Sequence, residues 1–218
     1  MAKKKALPSR SARVPKRSPP LHGGTGGGTA ELQVWETLGR SVLLSRPPWL
    51  EVYQERVRLP EGRVVDDFYR VVLPAFAIVA ATTEEGQLIT IRCFKQAVRR
   101  VLHCLPGGVL DRNEAPEAAA RRELLEETGY AARDFTALGV YVVDGNRQCG
   151  TMHAFMARQA RRMKKPRVDD MEVVRIELLP PARVAEAIAK NEFPHLPSAS
   201  TFALAMLRGL QEKQPMDR

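Results

Sequence analysis

The sequence predicts an α/β protein in which a mixed sheet is packed between helices, an α/β/α sandwich with a strand-rich segment ahead of it. Three observations point there. Short runs rich in Val, Ile, Phe and Thr recur between Gly-containing turns from about residue 49 onward. One Ala- and Glu-rich segment of helical composition interrupts them at 115–128. Strand-like runs then resume, and two helical segments close the chain.

Taken in order, residues 1–30 carry Lys3, Lys4, Lys5, Arg10, Arg13, Lys16 and Arg17, no acid, and repeated Pro and Gly. Without apolar periodicity such a tail is expected to be disordered. Its acid-poor composition suits a nucleic-acid arm, a nuclear signal or a transit peptide, and the plainer alternative is a solvated extension. Residues 31–73 read as a strand-rich extension and 74–213 as the main domain. Strands are expected over 49–59, 64–73, 75–82 and 87–94, with hairpin turns at Glu61-Gly62 and Glu85-Gly86. A loop over 106–113 leads into the helix at 115–128, which Gly129 is placed to end. Strands come next over 137–143, 151–157 and 172–179, then helices over 181–191 and 198–211.

Composition narrows the function classes. A chain of 218 residues is long enough for one sizeable core plus appendages. The net charge of +9 invites a nucleic-acid reading until the charges are located. Outside the tail, 27 basic residues face 25 acidic ones, so contact with nucleic acid is expected only through the tail. No apolar run approaches the roughly 18 residues of a membrane span, and none at the N-terminus resembles a secretory signal. The expected location is cytoplasmic, or organellar or nuclear if the tail is a targeting signal. Cys93, Cys104 and Cys149 are widely spaced, which argues against a disulfide framework or a zinc ribbon. A metal cluster of His103, Cys104, Cys149 and His153 is the alternative to cysteines acting as small apolar fillers.

The chemistry concentrates between Gly108 and Tyr130. On a helix, Glu123 and Glu127 lie one turn apart, with Glu126 beside them, so three carboxylates crowd one face. Such a face is either solvated or neutralised by a divalent cation, and Mg²⁺ prefers carboxylate oxygens and bridges to phosphates. Arg122 and Glu114 can pair across the loop and orient the helix. Pro106, Gly107 and Gly108 allow the backbone to turn tightly and approach a ligand. An isolated E-x-x-E-E is most often a solvated face, but here the surrounding residues are spaced with it.

The segment resembles the Nudix box, G-x5-E-x7-R-E-U-x-E-E-x-G-U with U bulky and apolar, at Gly108, Glu114, Arg122, Glu123, Leu124, Glu126, Glu127, Gly129 and Tyr130. Tyr130 is an aromatic in a usually aliphatic slot. Seven fixed identities at roughly 6% usage each coincide by chance on the order of once in 10⁸ to 10⁹ starting points. The resemblance implies a Nudix hydrolase whose metal, Mg²⁺ or Mn²⁺, is held by Glu123, Glu126, Glu127 and the carbonyl of Gly107. Arg122 and Glu114 would be structural partners. The implied reaction is substitution at phosphorus by a metal-polarised water.

The run from Trp49 through Leu88-Ile-Thr-Ile-Arg-Cys-Phe-Lys95 to Leu105-Pro-Gly-Gly108 is similar to the ADP-ribose pyrophosphatase branch of that family. It departs at Cys93, Lys95, Cys104 and Gly107, where Gln, Arg, Glu and Ala are usual, and Lys95 loses bidentate geometry. No Pro stands within Asp144-Gly-Asn-Arg147-Gln-Cys-Gly150, where ADP-ribose hydrolases often have one. The branch implies AMP and a sugar phosphate as products, a general base on a late loop, and a homodimer with intertwined N-terminal strands. Candidates for the base are Asp169, Asp170 and, in preference, Glu172, so that Glu126, Glu127 and Glu172 are the expected catalytic carboxylates. Arg92, Lys95 and Arg147 are candidate phosphate contacts, and Phe68, Trp35, Trp49 and Tyr69 candidate partners of the adenine ring. Two other readings compete. One is a Nudix hydrolase of nucleoside triphosphates, dinucleoside polyphosphates or RNA 5′ ends; the other is a non-catalytic nucleotide- or RNA-binding Nudix module.

Overall fold

A computed structural model describes residues 33–167 and 174–211. Every described strand and helix lies within the unit Trp35–Arg218. Its first three strands form an antiparallel meander. β1 (Glu36–Arg46) pairs with β2 (Leu50–Arg58), and β2 with β3 (Val64–Val72). Two tight connections close it: Trp49 N–H donates to Arg46 O at 2.9 Å, and Gly62 N–H donates to Leu59 O at 2.9 Å. Expectation missed β1 altogether. The strand is exposed along nearly its whole length, so nothing in it alternates between apolar and polar.

The centre is β4 (Phe76–Thr83), which runs parallel to the long β10 (Gln148–Arg162). Strand β9 (Asp134–Asp144) lies antiparallel on β10, and the short β8 (Tyr130–Ala131) pairs with its far end. The main path of the sheet continues through β5 (Leu88–Lys95) to β11 (Val174–Leu179), and β6 (Arg100–Cys104) also pairs with β5. Three residues of the expected 106–113 loop form β7 (Gly107–Val109) against β4, Ala77 opposite Gly108 and Ile78 opposite Gly107. Two of those three are glycines, which carry no side chain for a pattern to register.

Among the described residues three helices cover this sheet: α1 (Pro116–Thr128), α2 (Pro181–Ala189) and α3 (Leu196–Gln211). β4 is apolar from Phe76 to Ala81 because both its faces are covered. Ala77, Val79 and Ala81 belong to the core that holds Ala119, Ala120 and Leu124 of α1. The alternate residues Ile78 and Ala80 join Val184 of α2, Phe202 of α3 and Phe193 from the connection between those helices. That places the sheet between helical layers, as the order of elements in the sequence predicted. Ala on both sides of the α1 contact lets the helix approach closely, and Leu124, fully buried there, contributes about 1.5–3 kcal/mol. Among the described residues no helix is long and apolar enough to cross a membrane.

Gly129 ends α1 as expected. It takes φ +76°, its N–H donates to Leu125 O at 3.0 Å, and its carbonyl accepts from Met163 N–H at 2.8 Å just past β10. A Cβ there would lie 3.1 Å from the carbonyl carbon of Lys164 and collide with its oxygen. Gly129→Ala is therefore expected to lower stability by about 1–3 kcal/mol, from a left-handed non-Gly residue and the contact together. The check is a lower urea midpoint at unchanged slope, compared with wild type.

Candidate active site

Pro116, at the first position of α1, starts the helix with a preset φ, and Ala115 before it is extended. The loop ahead is folded around Glu114, whose Oε2 accepts from Asp111 N–H at 2.9 Å. Arg122 then reaches back across it. Its Nε and Nη2 each donate to Glu114 at 2.9 Å, one to each carboxylate oxygen, and Nη2 also donates to Val109 O at 3.1 Å. The remaining nitrogen, Nη1, donates to Glu123 Oε1 at 2.7 Å and to Glu126 Oε2 at 3.4 Å. The Arg122 hydrogen bonds hold the Glu114 carboxyl below its ordinary range, and Glu114 in turn raises the guanidinium.

Two of the helix carboxylates are pushed the other way. Burial raises Glu123, against the opposing pull of Arg122. Burial raises Glu127 to about 8; Gly107 N–H, which donates to its Oε2 at 2.9 Å, and the Lys95 ammonium oppose that, while Glu123 adds to it. Here the glycine pair matters for closeness. A Cβ on Gly108 would stand 2.6 Å from Glu123 Cδ, and one on Gly107 would stand 2.8 Å from Ile78 Cα. Any side chain at 108 displaces a carboxylate.

A cleft of about 400 Å³ opens beside Glu127, Gly107 and Gly108, and Trp49, Phe76, Lys95, Cys104, Cys149 and His195 are among its walls. It is largely apolar with a few polar groups among its walls, the character of a small-molecule site. Strand alternation separates the basic candidates of β5: Lys95 enters the cleft, whereas Arg92 lies 3.9 Å from Glu177 on the other side of the strand. Arg147 sits in the β9–β10 turn, its N–H donating to Asp144 Oδ1 at 2.7 Å. Phe68 meets Trp35 edge-on at 5.9 Å. Phe68, Trp35, Tyr69, Arg92 and Arg147 are outside the cleft lining of this chain; Trp49 and Lys95 are within it. Asp169, Asp170 and Glu172 lie outside the described residues.

The cysteine and histidine cluster does not form among the described residues, where no three His, Cys, Asp or Glu side chains are gathered to hold a metal. Cys104 and Cys149 face the cleft, but His103 Nε2 is 2.8 Å from Glu177 Oε2 and its ring stacks on Phe193 at 5.6 Å. The helix carboxylates are likewise engaged, Glu123 and Glu126 by Arg122 and Glu127 by Gly107. As a donor set they still suit a hard cation, because all the donors are oxygens and two of the three are desolvated. Sequence reasoning overlooked His195. Its only signal is its place just before a Pro- and Ser-containing helix start, which nothing local marks as sharing a cleft with Glu127.

Comparison with known proteins agrees with this geometry. The NUDIX domain model matches residues 72–199. An ADP-ribose pyrophosphatase of Bacillus subtilis (strain 168) is 31% identical over 128 residues, 58% of this chain and 69% of that protein. A methanol dehydrogenase activator of Bacillus methanolicus is 26% identical over 85 residues, 39% of this chain and 46% of that protein. A crystal structure of an ADP compounds hydrolase superposes with a TM-score of 0.72 at 20% identity, covering 86% of this chain and 100% of that one, a likeness of fold. With the domain match spanning more than half of its length and Gly108 and Glu127 of the box lining the cleft, the chain belongs to the Nudix family and is a hydrolase.

Proposed function

We propose that this hydrolase splits the diphosphate of ADP-ribose or a related ADP-sugar, giving AMP and a sugar phosphate, with Mg²⁺ or Mn²⁺ as cofactor. The observation that carries this reading is the cleft of about 400 Å³ that joins Glu127 and Gly107 to Lys95 and the exposed ring of Trp49. It combines the Glu127 carboxylate with a cationic side chain and an aromatic ring. The 31% identity to an ADP-ribose pyrophosphatase supports the same substrate class.

Glu123, Glu126 and Glu127 would hold the metal with the Gly107 carbonyl, Glu123 and Glu126 exchanging Arg122 for it. A bound divalent cation supplies Lewis acidity and a polarised water at neutral pH. Arg122 stays forked on Glu114 and keeps the helix in place. Lys95 neutralises a phosphate oxygen and Trp49 packs on the adenine ring. Glu172 would be the general base, accepting a proton from the water as its oxygen bonds to one phosphorus and the P–O bond to the leaving phosphate breaks. Dimerisation through the N-terminal strands accounts for Val42, Leu43 and Leu44 of β1 being more than a third exposed.

Purified protein with Mg²⁺ is expected to release AMP and ribose 5-phosphate from ADP-ribose in a product-resolved assay against nucleotide sugars, dinucleoside polyphosphates and triphosphates. Pyrophosphate from triphosphates as the dominant product would overturn the substrate class, and absence of metal-dependent turnover would leave a binding module. Glu126→Gln and Glu127→Gln are each expected to lower turnover on the order of 100-fold or more with the fold intact, judged by circular dichroism.

The raised Glu127 carboxyl also has a stability signature. Its folded value of about 8 lies above the ordinary 4.5, so between these the native state holds the extra proton and stability falls as pH rises. In chelator, that contribution is complete below about 4.5 and lost through about 8. A divalent cation relieves the loss, so Mg²⁺ is expected to raise the melting temperature more at pH 8.5 than at pH 5.5; an equal rise at both would contradict this. The monomer or dimer state is read by light scattering, where a monomer at micromolar concentration would exclude a stable dimer.

A further inference from the structure

His195 immediately precedes α3, and its carbonyl accepts from Ala199 N–H at 2.9 Å, the first bond of that helix. Its ring is held from behind. Nδ1 is 2.7 Å from Ser198 Oγ, and that oxygen accepts the N–H of Leu105 at 2.8 Å. Ser198 is completely buried, so its hydroxyl has few alternatives. In the tautomer that carries the imidazole proton on Nε2, the Ser198 hydroxyl donates to Nδ1 while its oxygen accepts from Leu105. Burial, and secondarily the Lys95 ammonium, lower the imidazole's proton affinity and favour the neutral ring. The ring lines the same cleft as Lys95, Gly107 and Glu127.

We propose that His195 is a substrate-binding residue, whose Nε2–H donates to a non-bridging oxygen of the diphosphate on the Lys95 side of the cleft. The assignment rests on the diphosphate reading of that cleft. A neutral donor complements Lys95 there, since it adds a directed hydrogen bond to an anion without a second like charge beside the ammonium. Ser198 makes the contact specific: one buried hydroxyl orients the ring and also ties down Leu105, two residues before Gly107 and its bond to Glu127.

The test compares wild type with His195→Asn, which can still start the helix but lacks the reach of Nε2, and with His195→Phe, which keeps the ring without nitrogens. The steady-state constants for ADP-ribose are measured, together with calorimetric affinities for ADP and for adenosine in the presence of Mg²⁺. Each variant that melts with wild type is expected to raise KM for ADP-ribose by about 10- to 100-fold, with kcat changed less, and to weaken ADP to the same extent. Adenosine affinity should not move. His195→Gln, which returns an amide donor near the position of Nε2, should recover part of the loss. ADP affinity within twofold of wild type in the variants, or an equal loss for adenosine, would overturn the proposal. If wild type fails to cleave any nucleotide sugar while His195→Asn still weakens ADP alone, the substrate reading falls and the His195 contact stands.

Discussion

The structure around the site depends on the fork between Arg122 and Glu114. A loop containing Asp111 and Asn113 has no core of its own, and it is held because one guanidinium uses three of its nitrogens at once: two on Glu114 or Val109, the third on the helix carboxylates. A lysine could not do this, since a single ammonium cannot span a carboxylate, a carbonyl and a neighbouring glutamate in one plane. With the loop fixed, Gly108 sits against Glu123 and Gly107 against Glu127, and the glutamates are placed by backbone as much as by their own helix.

That placement gathers negative charge in a region partly withdrawn from water. Glu123 and Glu127 both respond by holding their protons more strongly, which is the cost of desolvating a carboxylate without a full cationic partner. Arg122 offsets the charge at Glu123 and Lys95 that at Glu127, each in part. Such a face, although engaged by Arg122 and Gly107, is a set of oxygen donors suited to a divalent ion. The fold supplies rigidity for this: β4 is covered by α1 on one face and by α2 and α3 on the other, so neither the helix nor the glycine strand beside it can move without disturbing the core.

The cleft is an assembly of distant segments. Trp49 arrives from the β1–β2 turn, Lys95 from the end of β5, Cys149 from the start of β10 and His195 from the foot of α3. The bond from Ser198 to Leu105 joins the last helix to the residues ahead of the box. Packing of α3 and geometry at Glu127 are thereby linked through a few buried polar contacts rather than through apolar contact alone.

How much of this was legible in the sequence depends on the range of each interaction. The box could be read because its parts lie within one loop and one helix: helical spacing puts Glu123, Glu126 and Glu127 on one face, and Gly129 ends the helix wherever the chain is placed. The central strands could be read because burial on both faces leaves an apolar run, as in β4. Strand β1 gave no such signal, being exposed, and β7 gave none, being mostly glycine. Likewise the residue types Arg92, Lys95, Arg147 and Phe68 suited a nucleotide equally well on paper. By itself the sequence determined that Glu123, Glu126 and Glu127 share one helix and that the layering is α/β/α, since both arise from local periodicity. Only the tertiary structure decided that Lys95, Trp49 and His195 share the cleft while Arg92 turns toward Glu177, because strand pairing and helix docking bring together side chains that no local spacing relates.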